Sequence, residues 1–209
     1  MPAALYVRSL VVSPFEMNCY LAGDPVSRDV IVVDPGDDSD LICDLIGSEG
    51  LKILAVVNTH GHGDHIGANA DLARRFGCPI MIHEADADFL TDPMKNLSAF
   101  LGFETVSPAA DRLLHDGDEI EVGAMTFRAI HTPGHTPGGI CLYTPGHLFA
   151  GDTLFAGSVG RTDFPGGSMD QLVTAIHEKL FVLPDDTVVY PGHGPATTIG
   201  AEKASNPYL

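Results

Sequence analysis

Apolar residues along this chain fall into short runs broken by polar turns, and the period of each run predicts its element. In the first third, Leu5–Val12, Asn18–Ala22 and Val30–Asp34 are β-branched or apolar. They are separated by turn residues such as Pro14 and Gly23-Asp24-Pro25, which predicts three strands. Asp34-Pro35-Gly36 stops the third. A helix is predicted from Ser39, as its cap, to Glu49, with Leu41, Leu45 and Ile46 on one face and Gly50 as terminator. Ile53–Asn58 then reads as a strand, Asn69–Phe76 as a helix ended by Gly77, Pro79–His83 as a strand and Glu84–Leu90 as a short helix. Thr91–Ala110 has no clear period and reads as a loop with one helical turn around Leu97–Leu101, a candidate lid.

The second half predicts strands at Glu119–Val122, Met125–Ile130, Gly139–Tyr143, His147–Ala150 and Thr187–Tyr190, separated by Asp-Gly, Pro-Gly and Gly-Gly turns. One helix interrupts them. Ser168-Met169-Asp170-Gln171 has capping-box spacing, and Leu172, Ile176 and Leu180 recur on one face before Pro184. Two strand-rich halves with outer helices predict an α/β protein, a four-layer αββα sandwich forming a single domain over residues 1–209.

Composition narrows the function. Apolar residues at 44% and charged residues at 19%, with no Pro- or Ser-rich linker, place the chain in the globular class. The formal charge of −17 and only eleven Lys plus Arg supply no basic patch, which speaks against a nucleic-acid partner. No apolar stretch approaches the ~20 residues needed to span a bilayer, and the N-terminus carries no basic segment before its short apolar run, so a cytoplasmic location and no membrane partner are expected. Cys19, Cys43, Cys78 and Cys141 are far apart, form no Cys-x-x-Cys pair and are expected to be reduced, buried thiols.

The candidate chemistry lies at the ends of the apolar runs. Directly after Ile53–Val57 the chain reads His60-Gly61-His62-Gly63-Asp64-His65, four imidazole or carboxylate groups of the kind that bind zinc, iron and manganese. Three more apolar runs lead to a further donor: Met125–Ile130 to His135, Leu148–Ala150 to Asp152, and Thr187–Tyr190 to His193. Loops beyond strand ends are where a layered α/β scaffold presents functional groups, so seven donors are expected to converge on one rim. His83 and His131 are expected in the core or as outer partners of ligating imidazoles, and His115, His147 and His177 as exposed or packing residues. The glycines among the donors are read as turn formers.

These motifs, with Pro133-Gly134-His135-Thr136, Gly151-Asp152-Thr153 and Pro191-Gly192-His193, resemble the metallo-β-lactamase superfamily. Within it the chain looks most like the glyoxalase II (hydroxyacylglutathione hydrolase) family, in its short bacterial form without the C-terminal helical domain. The resemblance implies the αββα fold and two divalent metal ions, zinc first and iron or manganese as alternatives. His60, His62 and His135 would hold one ion, Asp64, His65 and His193 the other, and Asp152 would bridge. It also implies hydrolysis of a small-molecule thioester such as S-lactoylglutathione by a metal-bridging hydroxide, with Asp64 catalytic as well as ligating. A bridging aspartate is not a feature of true metallo-β-lactamases, which turns the expectation away from antibiotics.

Arg161 stands where the family has a basic residue that contacts glutathione, and is the candidate substrate-binding residue. Asp163 replaces an expected tyrosine and Ala68 a common second glycine, so Arg161 either holds a substrate carboxylate or pairs with Asp163 to shape the loop. The same Gly-Arg-Thr-Asp loop resembles the persulfide dioxygenases, which makes a single-iron dioxygenase the alternative. A lactonase is a third reading, and a non-catalytic metal-holding module a fourth. A monomer or small homo-oligomer is expected.

Overall fold

The computed structural model describes residues 5–100, 102 and 104–209. Its first sheet places β1 (Tyr6–Val12), β2 (Met17–Gly23), β3 (Asp29–Val33), β4 (Lys52–Val57), β5 (Ile80–His83) and β6 (Arg112–Leu114) side by side in chain order. β1 to β3 form an antiparallel meander, and β3 to β6 are parallel. The second sheet begins as the antiparallel series β7 (Glu119–Val122), β8 (Met125–His131), β9 (Ile140–Thr144) and β10 (His147–Gly151). A short ribbon of β11 (Leu154–Phe155) and β12 (Ser158–Val159) precedes β13 (Val188–Pro191) and β14 (Thr197–Thr198), and β13 joins β10 in parallel.

Three apolar layers hold the sandwich together. Strand β3 is buried on both faces, and its period of two divides it: Ile31 and Val33 face the second sheet, while Val30 and Val32 face outer helices. Phe127, Leu142 and Phe149 complete the layer between the sheets. On the outside of the first sheet lie α1 (Ser39–Glu49) and, beyond the short α2 (Gly63–Ile66), α3 (Asn69–Phe76). On the outside of the second lie α4 (Met169–Ala175), continued by a π-helical turn at Ile176–Leu180, and α5 (Ile199–Ser205). The predicted αββα order is what the chain adopts.

Several local expectations are corrected. Ser39 does not cap α1: the cap position is Asp38, in a left-handed conformation, and the Ser39 hydroxyl instead donates to Asp71 at 3.0 Å, tying α1 to α3. The face α1 buries is Ile42, Cys43 and Ile46, with Leu45 at its margin and Leu41 48% exposed, because the sheet meets the helix one residue further round. Glu84–Leu90 winds as a 3₁₀ helix. Asp34 leaves β3 with φ of 50°. The elements absent from the sequence reading are α2, α5, β6, β14 and the β11–β12 ribbon; at two to seven residues each they are too short for a period to declare itself. In Thr91–Ala110, Ser98–Phe100 forms the helical turn, and Leu101 lies outside the described residues. All four cysteines are free and buried. Among the described residues, no helix is long and apolar enough to cross a membrane.

One topological consequence positions the site. β8 is two antiparallel steps from β10, and β10 is parallel to β13, so these three strands point their C-terminal ends the same way. The loops after them meet the loop after β4 from the other sheet.

Candidate metal centre

Beyond Val57 the chain is held by Asn58, whose side-chain amide donates to the His65 carbonyl at 3.1 Å and closes the donor loop on itself. The single turn of α2 then carries Asp64 and His65 inward, with His62 just ahead of it. Gly61 serves by close approach rather than by an unusual φ, since a Cβ there would stand 2.3 Å from Phe89 Cβ. Gly192 does the same: its Cβ would lie 2.3 Å from Asp152 Oδ1.

All seven predicted donors converge. His60 Nε2 and His135 Nε2 lie 3.1 and 3.0 Å from His62 Nδ1, so three imidazole nitrogens face one point. Asp64, His65 and His193 form a second trio, with His193 Nε2 3.3 Å and His65 Nε2 3.8 Å from Asp64 Oδ2. Asp152 stands between them, its Oδ2 3.6 Å from His135 Nε2 and 3.8 Å from His193 Nε2, and its Oδ1 3.5 Å from His65 Nε2.

The other face of four of the five imidazoles is fixed by a partner. Asp34, 2% exposed, accepts the Thr59 amide and hydroxyl and lies 3.0 Å from His65 Nδ1. With its proton given to Asp34, the Thr59 oxygen accepts from His60 Nδ1 at 3.2 Å. His135 Nδ1 donates to the Arg161 carbonyl at 2.7 Å and His193 Nδ1 to the Phe15 carbonyl at 3.1 Å. In these four rings Nδ1 is therefore held outward by its partner and Nε2 is aimed into the site. Asp86, fully buried, accepts the Gly61 and Gly138 amides and so ties the loop of His60 and His62 to the loop that follows His135.

Electrostatics divide the two trios. Burial, reinforced by the neighbouring imidazoles, drives His60 well below its ordinary value, and burial with His135 alongside pushes His62 down to about 3. Both are neutral donors at pH 7. In the second trio burial opposes charge, but Asp64, Asp152 and Asp34 outweigh it and push His65 up to about 10. Burial likewise works against the Asp64 carboxylate, yet His65 and His193 hold it well below the usual range. This half of the site attracts positive charge. His65 Nε2 and Asp152 Oδ1 are buried without a hydrogen-bond partner, facing each other across 3.5 Å. Orphaned donor atoms of this kind, with five imidazoles and two carboxylates at one rim, fit divalent cations.

Residues 13–193 match the family model described as the metallo-β-lactamase superfamily. The chain belongs to that superfamily. It is 37% identical over 206 residues to the probable metallo-hydrolase YqgX of Bacillus subtilis, covering 97% of this chain and 96% of the relative. It is 34% identical over 207 residues to the hydroxyacylglutathione hydrolase GloC of Haemophilus influenzae, covering 97% of each. Among solved structures it is similar to the B3 metallo-β-lactamase BLEG-1, at 37% identity and a TM-score of 0.94 over 98% of this chain and 99% of the other. It is also similar to TTHA1623 in a di-iron-bound form, at 35% and 0.87 over 97% and 100%.

Above the rim just described the chain builds a cleft of about 750 Å³. Phe15, Leu97, Phe100, Phe155, Val159 and Phe164 line it, so the segment read as a candidate lid supplies part of one wall. Arg161 stands apart from the donors. Its guanidinium pairs with Asp163 at the cleft wall, while its carbonyl orients His135. Of the two roles expected of His83 and His131, packing is the one observed: their rings stack on one another at 4.1 Å, with His83 buried. Asp34 holds the outer-partner role, Asp86 braces the donor loops through the Gly61 and Gly138 amides, and both were missed. The signal that finds them is the one that found the donors, since each follows the C-terminal end of an apolar strand.

Proposed function

We propose that this protein is a metal-dependent hydrolase that cleaves an acyl thioester. His60, His62 and His135 would hold one divalent cation, Asp64, His65 and His193 a second, and Asp152 would be shared. The observation that carries the reading is Asp152, one carboxylate within 4 Å of imidazoles from both trios. The nitrogen-rich donor set suits zinc, and iron or manganese would take the same ligands. Bound there, two cations supply Lewis acidity and lower the pKa of water toward neutrality.

The remaining work belongs to the chain. Asp64 directs Oδ2 to His193 and His65, and is assigned the orienting of the attacking water. The apolar walls exclude bulk water from the ester, which strengthens every charge interaction at the floor. The sulfur leaves as a thiolate: with a thiol pKa near ~8.5 it needs little help from an acid. The partner is then a small molecule, with no role for nucleic acid or membrane, and the protein works in the cytoplasm as a monomer or small homo-oligomer.

GloC, described as a hydroxyacylglutathione hydrolase, makes S-lactoylglutathione the first thioester to try. BLEG-1, described as a B3 metallo-β-lactamase, favours a second reading in which the same site opens a β-lactam. Metal analysis of the purified protein, followed by parallel assays on S-lactoylglutathione, a chromogenic cephalosporin and glutathione persulfide with an oxygen electrode, separates them. About two divalent ions per chain and thioester cleavage without oxygen uptake are expected. A single iron with oxygen consumption would replace this reading by the dioxygenase, and cephalosporin turnover alone by the lactamase.

A further inference from the structure

Basic side chains are scarce in the cleft walls. Among the described residues that line it, Arg161 is the one Lys or Arg. Its Nε and Nη2 donate to Asp163 Oδ1 and Oδ2 at 2.8 and 2.7 Å, a bidentate clasp of the kind a substrate carboxylate would otherwise receive. The guanidinium carbon lies 4.0 Å from the centre of the Phe164 ring, and that ring meets His62 edge-on at 5.8 Å. The fork is thus held in plane between a carboxylate and an aromatic face.

An anionic ligand gains little from this arrangement. Displacing Asp163 exchanges one carboxylate for another on the same guanidinium and leaves the displaced acid beside the newcomer. Approaching by the Nη1 edge instead meets a cation whose charge Asp163 already offsets. Both routes lie at the cleft wall of a chain whose own groups sum to a formal charge of −17, so away from the metal-holding floor the surrounding field also disfavours anions. An uncharged ligand forgoes nothing at Arg161 and still meets the apolar walls contributed by Phe15, Leu97, Phe100, Phe155 and Val159.

We propose that the cleft selects thioesters whose thiol portion is uncharged and largely apolar, and that Asp163 sets this preference by taking the Arg161 fork away from anionic thiols. The proposal rests on the thioester reading for the bond that is cleaved, but the selection itself concerns binding. Glutathione, with its two carboxylates, then becomes a thiol that the enzyme accepts and holds weakly.

Matched pairs test it. The phenylacetyl thioesters of N-acetylcysteamine and of glutathione share an acyl group and differ in thiol charge, as do the uncleavable thioethers S-benzyl-N-acetylcysteamine and S-benzylglutathione. For the wild-type metal-loaded protein, kcat/KM is expected to favour the neutral thioester on the order of 10-fold, mostly through KM, and calorimetry to rank the thioethers the same way. Asp163→Asn, and independently Asp163→Ala, should shrink both ratios severalfold by freeing the fork. Equal or tighter binding of the glutathione thioether by the wild type would overturn the proposal, as would ratios that neither variant changes. If no thioester is cleaved while the calorimetric ranking and its loss in the variants hold, the hydrolase reading fails and the selection stands.

Discussion

The Asp34 carboxylate lies 3.0 Å from His65 Nδ1, and through Thr59 it also governs His60, so one buried acid sets the tautomer of an imidazole in each donor trio. The two halves of the centre are therefore coupled before any ligand arrives. Asp34→Asn keeps the shape but removes an acceptor, so either His65 or Thr59 loses its partner. Divalent-metal affinity is expected to fall by about 10–100-fold, with the far-ultraviolet circular dichroism unchanged. Competition against a chromogenic chelator measures it, and wild-type affinity in the variant would remove Asp34 from this role.

Asp152 stands within reach of both trios, so its loss should change stoichiometry as well as rate. Asp152→Ala is expected to retain about one divalent ion where the wild type holds two, and to lose at least ~100-fold in thioester hydrolysis. Elemental analysis of dialysed protein gives the count. Two tightly held ions in the variant would show that the trios do not share this carboxylate.

Gly192 leaves room for the same aspartate. Alanine would bring a methyl group to 2.3 Å from Asp152 Oδ1 and 2.8 Å from His65 Cε1, and both belong to a packed floor that has nowhere to retreat. Gly192→Ala should lower stability by roughly 1–3 kcal/mol and abolish metal loading. Thermal melts with and without added zinc would show the zinc-dependent rise in Tm in the wild type alone.

Stability and chemistry separate at α4. The Ser168 hydroxyl accepts the Gln171 amide at 3.3 Å and caps a helix that packs on the outer face of the second sheet. Ser168→Ala should cost about 1 kcal/mol in urea unfolding while leaving kcat and metal content as they were.

Acid should reveal a structural histidine away from the donors. Burial, with His131 stacked on its ring, pushes His83 down to about 4. Between pH ~6.5 and 4 the unfolded chain takes a proton that the folded chain refuses. The His83 contribution is therefore complete above the unfolded value and falls away as the pH drops through that window, by up to roughly 3 kcal/mol. In EDTA, which removes the metal contribution, wild type should lose more stability between pH 7 and pH 5 than His83→Gln. Equal losses would show that His83 is protonated in the folded protein.

How much of this was legible depends on distance along the chain. The strands around Val30–Val33 and Met125–Ile130 announced themselves because a two-residue period is written by the backbone into neighbouring positions. The seven donors were legible for a related reason: each follows an apolar run directly, so finding the strand locates the donor. The α1 face shows where this stops. Leu41 and Ile42 are equally apolar, and only the position of the first sheet decides that Ile42 is covered and Leu41 is 48% exposed.

The sequence by itself determined the layered α/β architecture and the seven side chains that meet at its rim, since both follow from local periodicity and from motifs a few residues long. Tertiary structure alone decided their partners. Asp34 reaches His65 across 31 positions and the Phe15 carbonyl reaches His193 across 178, contacts that no local pattern encodes. It also decided that Arg161 turns to Asp163 and that His83 faces His131. A hydrogen bond or ion pair depends on where two groups stand in space, and that placement follows only once three apolar layers have closed around them.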